Sequence, residues 1–420
     1  MSRYFRALSL TALLSVLKMF SGFAIAKAIA VLYGPSGIAI VGQLQSFLNI
    51  VNGVVNAPVG TSVVRYTSEN DGDLKKVIPW WRASVRISIF LYFIVFSFVV
   101  VTFSYVSELI FYESNYAWML LLAIILVPFS AFNMLVVSIV NGHQKYKLFF
   151  LLGAGNVLLN LLTFGGLAYF YGLKGVLLSV IFSYTLVTLI SILFVRRESW
   201  FSIKNFLGKV RRKNIRGVSK YVLMALTSAV LGPLSLVLIR TFIEKELSLV
   251  DVGLWQASWK ISEAYLSIGL MALTTVVLPR LIKLGSYEEI KRQVVQSTRL
   301  VIPLIVLVAV AIFLLRDLII SLLFSSDFSG ARELFVYQLS GDVLKMLCWF
   351  YSFPMLAHGK VYWYIGTSFG YSFMFVVGSY LLIPIFGLQG VPLTYALSYL
   401  FFFIFLLINF RSIAGIKHEP

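Results

Sequence analysis

Tyr171-Gly-Leu-Lys-Gly-Val-Leu-Leu-Ser179 and Phe386-Gly-Leu-Gln-Gly-Val-Pro-Leu-Thr394 are one motif written twice, 215 positions apart. Each copy sits between long apolar runs. At the same offset Ser183-Tyr184 meets Ser398-Tyr399, His143 meets His358, Lys145 meets Lys360 and Arg65 meets Arg280, while Gly37 and Gly253 match at 216. Several matches at one spacing, spread over half the chain, are the signature of an internal duplication.

Outside these copies the composition dictates the solvent. The chain has 420 residues, of which 60% are hydrophobic and 12% charged. Its mean hydropathy is +0.91. Soluble domains carry about twice that charged fraction, so lipid must surround most of the chain. A bilayer needs about 20 apolar residues per helix. About twelve stretches qualify, from 7–32 and 38–63 through 218–243 and 252–278 to 389–410. Helices are required because lipid cannot satisfy free backbone groups. The apolar run after Arg6 continues to about Leu32 without a small-x-small cleavage site, so it reads as the first span, not a leader.

The expectation is therefore an all-α membrane protein of about twelve spans, in two six-helix lobes related by a pseudo-twofold axis. An N-terminal lobe covers 1–195 and a C-terminal lobe 218–410. Between them 196–217 is a basic linker, in which Trp200, Ile203, Leu207 and Val210 recur at helical spacing, as in an amphipathic surface helix. A short tail covers 411–420. Lys and Arg crowd one side of the spans (Arg65, Lys75, Lys76, Arg82, Lys145, Arg280, Lys360, Arg411 and the linker). The other side holds little beyond Lys174, Lys245, Arg316 and Arg332. The positive-inside rule then puts both termini in the cytoplasm. It also absorbs the net charge of +18, which on a soluble chain would suggest nucleic acid. No nucleic-acid partner is expected.

Ionisable residues inside spans are costly unless they face water or a partner. Lys18 lies in the first span, Lys260 and Glu263 in the eighth, and Asp342 and Lys345 in the tenth; Lys27 and Arg240 lie nearer span ends. Two readings stand side by side. The cations could line a positively biased substrate cavity, with Glu263 and Asp342 as the candidate ion-coupling carboxylates. Alternatively, Lys260–Glu263 and Asp342–Lys345, each spaced i,i+3, could neutralise themselves, while Lys27 and Arg240 snorkel. In the second span Gln45, Asn49, Asn52 and Asn56 fall within about a 60° arc of one helix face. They line either the cavity or an interhelical hydrogen-bond seam. Trp259 fits a sugar-stacking platform or an interface belt.

Enzyme constellations are missing from the sequence. There is no phosphate-binding G-x-x-x-x-G-K-[ST] loop. The three histidines are scattered, and Cys348 is the single cysteine. Neither a metal nor any other cofactor is expected, and transport must draw on an ion gradient or a downhill substrate.

Val252-Gly-Leu-Trp-Gln-Ala-Ser258, Ile261-Ser-Glu-Ala-Tyr265 and Leu334-Phe-Val-Tyr-Gln-Leu-Ser-Gly-Asp-Val-Leu-Lys345, with Tyr33-Gly-Pro-Ser-Gly37 and Leu278-Pro-Arg-Leu281, carry a resemblance. The chain resembles the Wzx-type lipid-linked oligosaccharide flippases, in particular the enterobacterial lipid III and O-antigen flippases. These belong to the multidrug/oligosaccharidyl-lipid/polysaccharide exporter superfamily. The resemblance spans essentially the whole chain and lies in scattered motifs. It implies an inner-membrane transporter that moves an undecaprenyl-diphosphate-linked oligosaccharide from the cytoplasmic to the periplasmic leaflet. The partners it implies are that substrate, membrane lipids, a polysaccharide polymerase and a chain-length regulator. From their depth and periodicity, Lys18, Lys260 and Lys345 would attract the diphosphate and Gln45, Asn49 and Asn52 would hydrogen-bond the sugars, with Lys27, Arg240 and Trp259 as further substrate-binding candidates. A drug or cation antiporter of the same superfamily would need a net negative cavity. A membrane-embedded polymerase would need a large periplasmic loop; here those loops are short. A murein-precursor flippase would carry extra C-terminal spans.

Overall fold

A computed structural model describes residues 3–70, 72–112 and 116–415. Among them the chain is predominantly helical, with short connections. The helices are α1 (Arg3–Asn56), α2 (Thr61–Glu69), α3 (Leu74–Val101), α4 (Phe103–Phe111), α5 (Trp118–Gly142), α6 (Tyr146–Val195), α7 (Ile203–Phe206) and α8 (Arg212–Glu246). They continue as α9 (Leu249–Ala272), α10 (Leu278–Lys283), α11 (Tyr287–Leu314), α12 (Arg316–Leu323), α13 (Phe335–Ala357), α14 (Val361–Phe386), α15 (Gly390–Ile408) and α16 (Phe410–Ala414).

Among the described residues seven helical runs are long and apolar enough to cross a bilayer, and three of them, of 61, 50 and 48 residues, have length for two crossings each. α9 and α13, with 24 and 23 residues, are also of spanning length but hold the mid-helix charges. About twelve spans result. The double-length runs fold back at single glycines. α1 breaks at Gly34 (φ 61°) and α6 at Gly172 (φ 58°), and α14 stops at Gly387 (φ 59°). A side chain is strained in that left-handed region, so glycine is the residue that turns the chain there.

The helices pack into two units. One comprises residues up to Ile25 and Ile40–Leu234; the other comprises Ala26–Ala39 and everything from Ser235. The first unit's core gathers Trp81, Leu135, Ile139, Trp200 and Phe206. The second holds two clusters, one around Trp255, Trp259, Phe375, Tyr395 and Tyr399 and one around Leu266, Met346, Phe350 and Phe410.

The duplication survives as backbone geometry. Gly172 and Gly387 share their dihedrals, at ψ −139° and −145°. Gln144 and Gly359, again 215 apart, have φ 53° and 63°. After each, the lysine N–H closes the same bond, from Lys145 to Val140 O (3.1 Å) and from Lys360 to Met355 O (2.8 Å).

The segment after α6 differs from the amphipathic helix its spacing suggests: within 203–206 a single turn forms. Trp200 and Phe206 instead leave the surface and pack on Trp81, at ring separations of 6.1 and 6.0 Å. Burying two large aromatics outweighs the helical periodicity of a short basic segment. Of the tail read at 411–420, positions 416–420 lie outside the described residues.

Candidate functional site

Ser248 starts α9 by accepting a hydrogen bond from the Asp251 N–H (3.2 Å), a standard N-cap. The helix can lie against the Gly34 break of α1 because residue 253 is glycine; a Cβ there would stand 2.1 Å from the Pro35 carbonyl oxygen. Gly341 has the same role where α13 meets α15, since its Cβ would fall 2.2 Å from the Tyr395 ring. These two close approaches bring α9, α13 and α15 together around Asp342.

Asp342 is fully buried. Its Oδ2 accepts from Ser262 Oγ (2.6 Å) and Tyr265 Oη (2.8 Å), and its Oδ1 accepts from Tyr395 Oη (2.8 Å). Ser262 in turn accepts from Gln338 Nε2 (3.1 Å). Three hydroxyl donors nearly fill the acceptor capacity of one carboxylate. One turn along α13, Lys345 projects into a box of rings. Its Nζ lies 5.2 Å from the centre of Trp259, 5.3 Å from Trp349, 5.7 Å from Tyr395 and 5.9 Å from Tyr399. Desolvated cation–π contacts of this kind contribute about 0.5–2 kcal/mol each.

The i,i+3 self-pairing alternative is not what forms. Among the described residues, ion pairs within 4.0 Å join Arg65 to Glu69, Lys76 to Asp73 and Lys145 to Glu198, and none joins Asp342 to Lys345 or Lys260 to Glu263. The carboxylate turns to hydroxyls and the ammonium to rings. Three buried polar atoms here are left without a partner: Gln338 Oε1 and the indole N–H groups of Trp255 and Trp259. Buried polar atoms are seldom orphaned without a reason. An acceptor and two donors beside a cation suit a ligand rich in hydroxyl and phosphate oxygens.

Of the residues singled out in the sequence, Trp259, Asp342 and Lys345 thus come together. Lys260, half-buried, and Glu263, exposed, lie on the neighbouring face of α9. Arg240 is buried and gives its Nε (2.9 Å) and an Nη (2.6 Å) to Gln256 Oε1, with its guanidinium 5.9 Å from the Trp255 ring centre. Lys27 donates to Ser321 O (2.8 Å) and Phe324 O, capping the C-terminus of α12, where a cation complements the helix dipole. The others belong to the first unit. Lys18 and Asn49 are exposed and Gln45 is half-buried. Asn52 is buried, donates to Leu48 O (2.9 Å) and keeps an unpartnered Oδ1.

Sequence reading passed over Ser262, Tyr265, Gln338, Trp349, Tyr395 and Tyr399. One signal was available: a carboxylate deep in a span must find donors, and Gln338, Tyr395 and Tyr399 all lie one turn from another residue of the cluster.

Known proteins can now be set beside this geometry. No family model matches the sequence. Lipid III flippases of Escherichia coli K12 and Shigella flexneri are each 27% identical to it over 404 residues, covering 94% of this chain and 94% of theirs. In structure it is similar to an inward-facing multidrug-resistance MATE transporter of the MOP superfamily, at a TM-score of 0.75, 15% identity, and 97% and 96% coverage. It is also similar to the lipid II flippase MurJ in an inward closed conformation, at a TM-score of 0.72, 14% identity, and 98% and 90% coverage. The chain shares the fold of these transporters. Its relatives by sequence are both named lipid III flippases.

Proposed function

We propose that this protein flips an undecaprenyl-diphosphate-linked oligosaccharide, an O-antigen repeat or a related surface-polysaccharide unit, from the cytoplasmic to the periplasmic leaflet of the inner membrane. Both termini are cytoplasmic in this reading, and transport proceeds by alternating access. The observation that carries it is the pairing in one helix, α13, of a hydroxyl-bound Asp342 with an ammonium, Lys345, that sits among four aromatic rings and beyond 4.0 Å of any carboxylate oxygen among the described residues. An ammonium with no direct ion pair is a ready point charge for a diphosphate. Lys260 and Lys18 add to the positive bias. Trp259 offers a ring face and an unpartnered N–H to sugars, and Gln45, Asn49 and Asn52 offer loose hydrogen bonds. Asp342 and Glu263 serve as ion-coupling groups; Lys27 and Arg240 hold α12 and α9 in place around them. The flipped unit is then passed to a polysaccharide polymerase and its chain-length regulator.

Deleting the gene should make one lipid-linked oligosaccharide accumulate on the cytoplasmic leaflet. Lys345→Ala, Lys260→Ala and Lys18→Ala should each weaken or abolish complementation at normal protein levels. Wild-type surface polysaccharide in all three variants would overturn the reading.

A further inference from the structure

Residues 196–216 carry eight Lys or Arg against one acid, Glu198, which is paired with Lys145. Arg197, Lys204, Lys209, Arg211, Arg212 and Arg216 are exposed. Among these cations the single turn of α7 sends two apolar side chains outward. Ile203 is 75% exposed and Leu207, one turn later, 54%. In water that pair gains nothing, because Trp200 and Phe206 already fill the pocket at Trp81.

The depth of the turn says what meets it. Phe201 and Phe206 lie against Phe132 of α5, at ring separations of 6.3 and 6.1 Å. At 1.5 Å per residue Phe132 stands about 15 Å inside the helix end at Gly142. The 25 residues of α5 are about 37 Å long, and the hydrocarbon core of a bilayer is about 30 Å thick. Even with all the excess on this side, Phe132 remains below the hydrocarbon boundary. The turn therefore lies beside the helix ends, at the level of the headgroups, and not beyond them in the water. Irregular backbone is excluded from the hydrocarbon itself, and here it is tied down locally. Leu207 N donates to Ile203 O (3.0 Å), Asn205 Nδ2 to Trp200 O (2.9 Å) and Arg82 Nη2 to Lys204 O (2.5 Å). Gly208 (φ 147°) leaves room for that clasp, since a Cβ there would stand 2.8 Å from Arg82 Cζ.

We infer that residues 203–211 are a wedge in the leaflet on the basic side of the spans, and that its partner is an anionic phospholipid surface. Ile203 and Leu207 dip below the headgroups, while Lys204, Lys209 and Arg211 meet lipid phosphates. Apolar burial and attraction to anionic headgroups reinforce each other in such a contact. The inward side chains Trp200 and Phe206 and the Arg82 clasp join the turn to the first unit, so the wedge sets that unit's footing in the bilayer. This holds whatever the protein transports.

The test reads depth first. The full chain is reconstituted in vesicles of three parts phosphatidylcholine to one part phosphatidylglycerol. Single nitroxide labels are attached through Ile203→Cys, Leu207→Cys and, as a wet reference at the start of α3, Lys75→Cys; the native Cys348 is buried. Power saturation should place labels 203 and 207 about 5–10 Å below the phosphates, reached by oxygen severalfold more than by a water-soluble nickel chelate, and label 75 in water. Labels 203 and 207 as open to the chelate as label 75 would overturn the wedge. Because a nitroxide is itself apolar, the unlabelled protein gives a second measurement. In detergent, phosphatidylglycerol should raise the melting temperature of the wild type and phosphatidylcholine should not. Ile203→Asp with Leu207→Asp, and Lys204→Gln with Lys209→Gln and Arg211→Gln, change only exposed side chains. Both variants should match the wild type in phosphatidylcholine and lose most of the rise in phosphatidylglycerol. An equal rise in all three proteins would overturn the anionic-lipid assignment. So would labels that are wet in vesicles and shielded only in native membranes, which would give this face to a protein partner.

Discussion

α13 of the second unit and α5 of the first are counterparts in the duplication, yet they carry opposite chemistry. Where α13 has Gln338, Asp342 and Lys345, α5 has Ala123, Val127 and Ser130 at the same offset, all buried. The surroundings follow suit. Trp259, Ser262 and Tyr395 correspond to Leu44, Phe47 and Val180. The backbone breaks and cap geometry are kept in both copies, as at Gly172 and Gly387. A buried carboxylate is tolerated only with its donors, so the polar group forms a mutually dependent set that cannot be acquired one residue at a time. The first unit kept the scaffold with an apolar middle. Its own polar seam lies one turn away, where Asn56 Nδ2 donates to Ser130 Oγ (3.2 Å).

Exchanging the two centres should break this symmetry most severely. Val127→Asp places a carboxylate at a buried position of α5, where the repeat counterparts of Ser262 and Tyr395 are the apolar Phe47 and Val180. The expected cost is about 3–5 kcal/mol, read as loss of folded protein in detergent extracts. Asp342→Val leaves three hydroxyls unmet, at about 1–3 kcal/mol each, and should abolish transport. Asp342→Asn preserves size and should leave folded protein that transports at least about tenfold more slowly, the loss given by 1.4 kcal/mol. If Val127→Asp folds and transports normally, the claim that the donors are indispensable is wrong.

The next effect concerns Gly341. A methyl group there must displace the Tyr395 ring, which stands 2.2 Å from an ideal Cβ. Gly341→Ala should therefore cost about 1–3 kcal/mol, as overpacking does, and reduce transport by breaking the Tyr395–Asp342 bond. Tyr395→Phe should reproduce the transport loss with a smaller fall in melting temperature. If Gly341→Ala transports normally, the bond is dispensable.

Much of this was legible in the chain before any fold was known. The 215-residue repeat and the apolar run lengths suffice to read two sets of spans, because lipid allows little besides helices. Asp342 and Lys345 stood out because a charge in a span is expensive. Their partners did not. Tyr395 and Ser262 are ordinary span residues until packing brings them within 2.8 Å and 2.6 Å of one carboxylate. The i,i+3 spacing of Asp342 and Lys345 permits an ion pair, but whether hydroxyls and rings compete for the two groups depends on α9 and α15. Trp200 misled for the same reason: helical spacing is local, whereas the pocket that Trp81 offers it is tertiary.

A smaller effect belongs to the seam of the first unit. Ser130→Ala removes one neutral hydrogen bond from Asn56, whose Oδ1 already lacks a partner. A loss of about 1 kcal/mol is expected, with transport close to wild type. A transport defect as large as that of Asp342→Asn would move the functional centre into this unit and invert the comparison.

The mildest contrast tests how alike the two copies remain at their basic ends. Lys145 pairs with Glu198, and the equivalent Lys360 donates to Ser412 O and Gly415 O. Both lysines fasten the segment that follows the last long helix of their copy of the repeat, by different chemistry. The Lys145 pair is partly exposed, with side chains 43% and 22% accessible, so Lys145→Ala should cost at most about 1 kcal/mol. In 1 M KCl the Debye length shrinks to about 3 Å, which should erase most of that cost. Lys360 meets carbonyls at the end of α16, one of them in a half-buried bond. Its replacement by alanine should therefore cost about 1 kcal/mol that salt removes less completely. Melting temperatures of the two variants at low and high salt give the answer. Equal salt sensitivity would mean that the carbonyl clamp is as wet as the ion pair and that the duplication kept the energetics as well as the position.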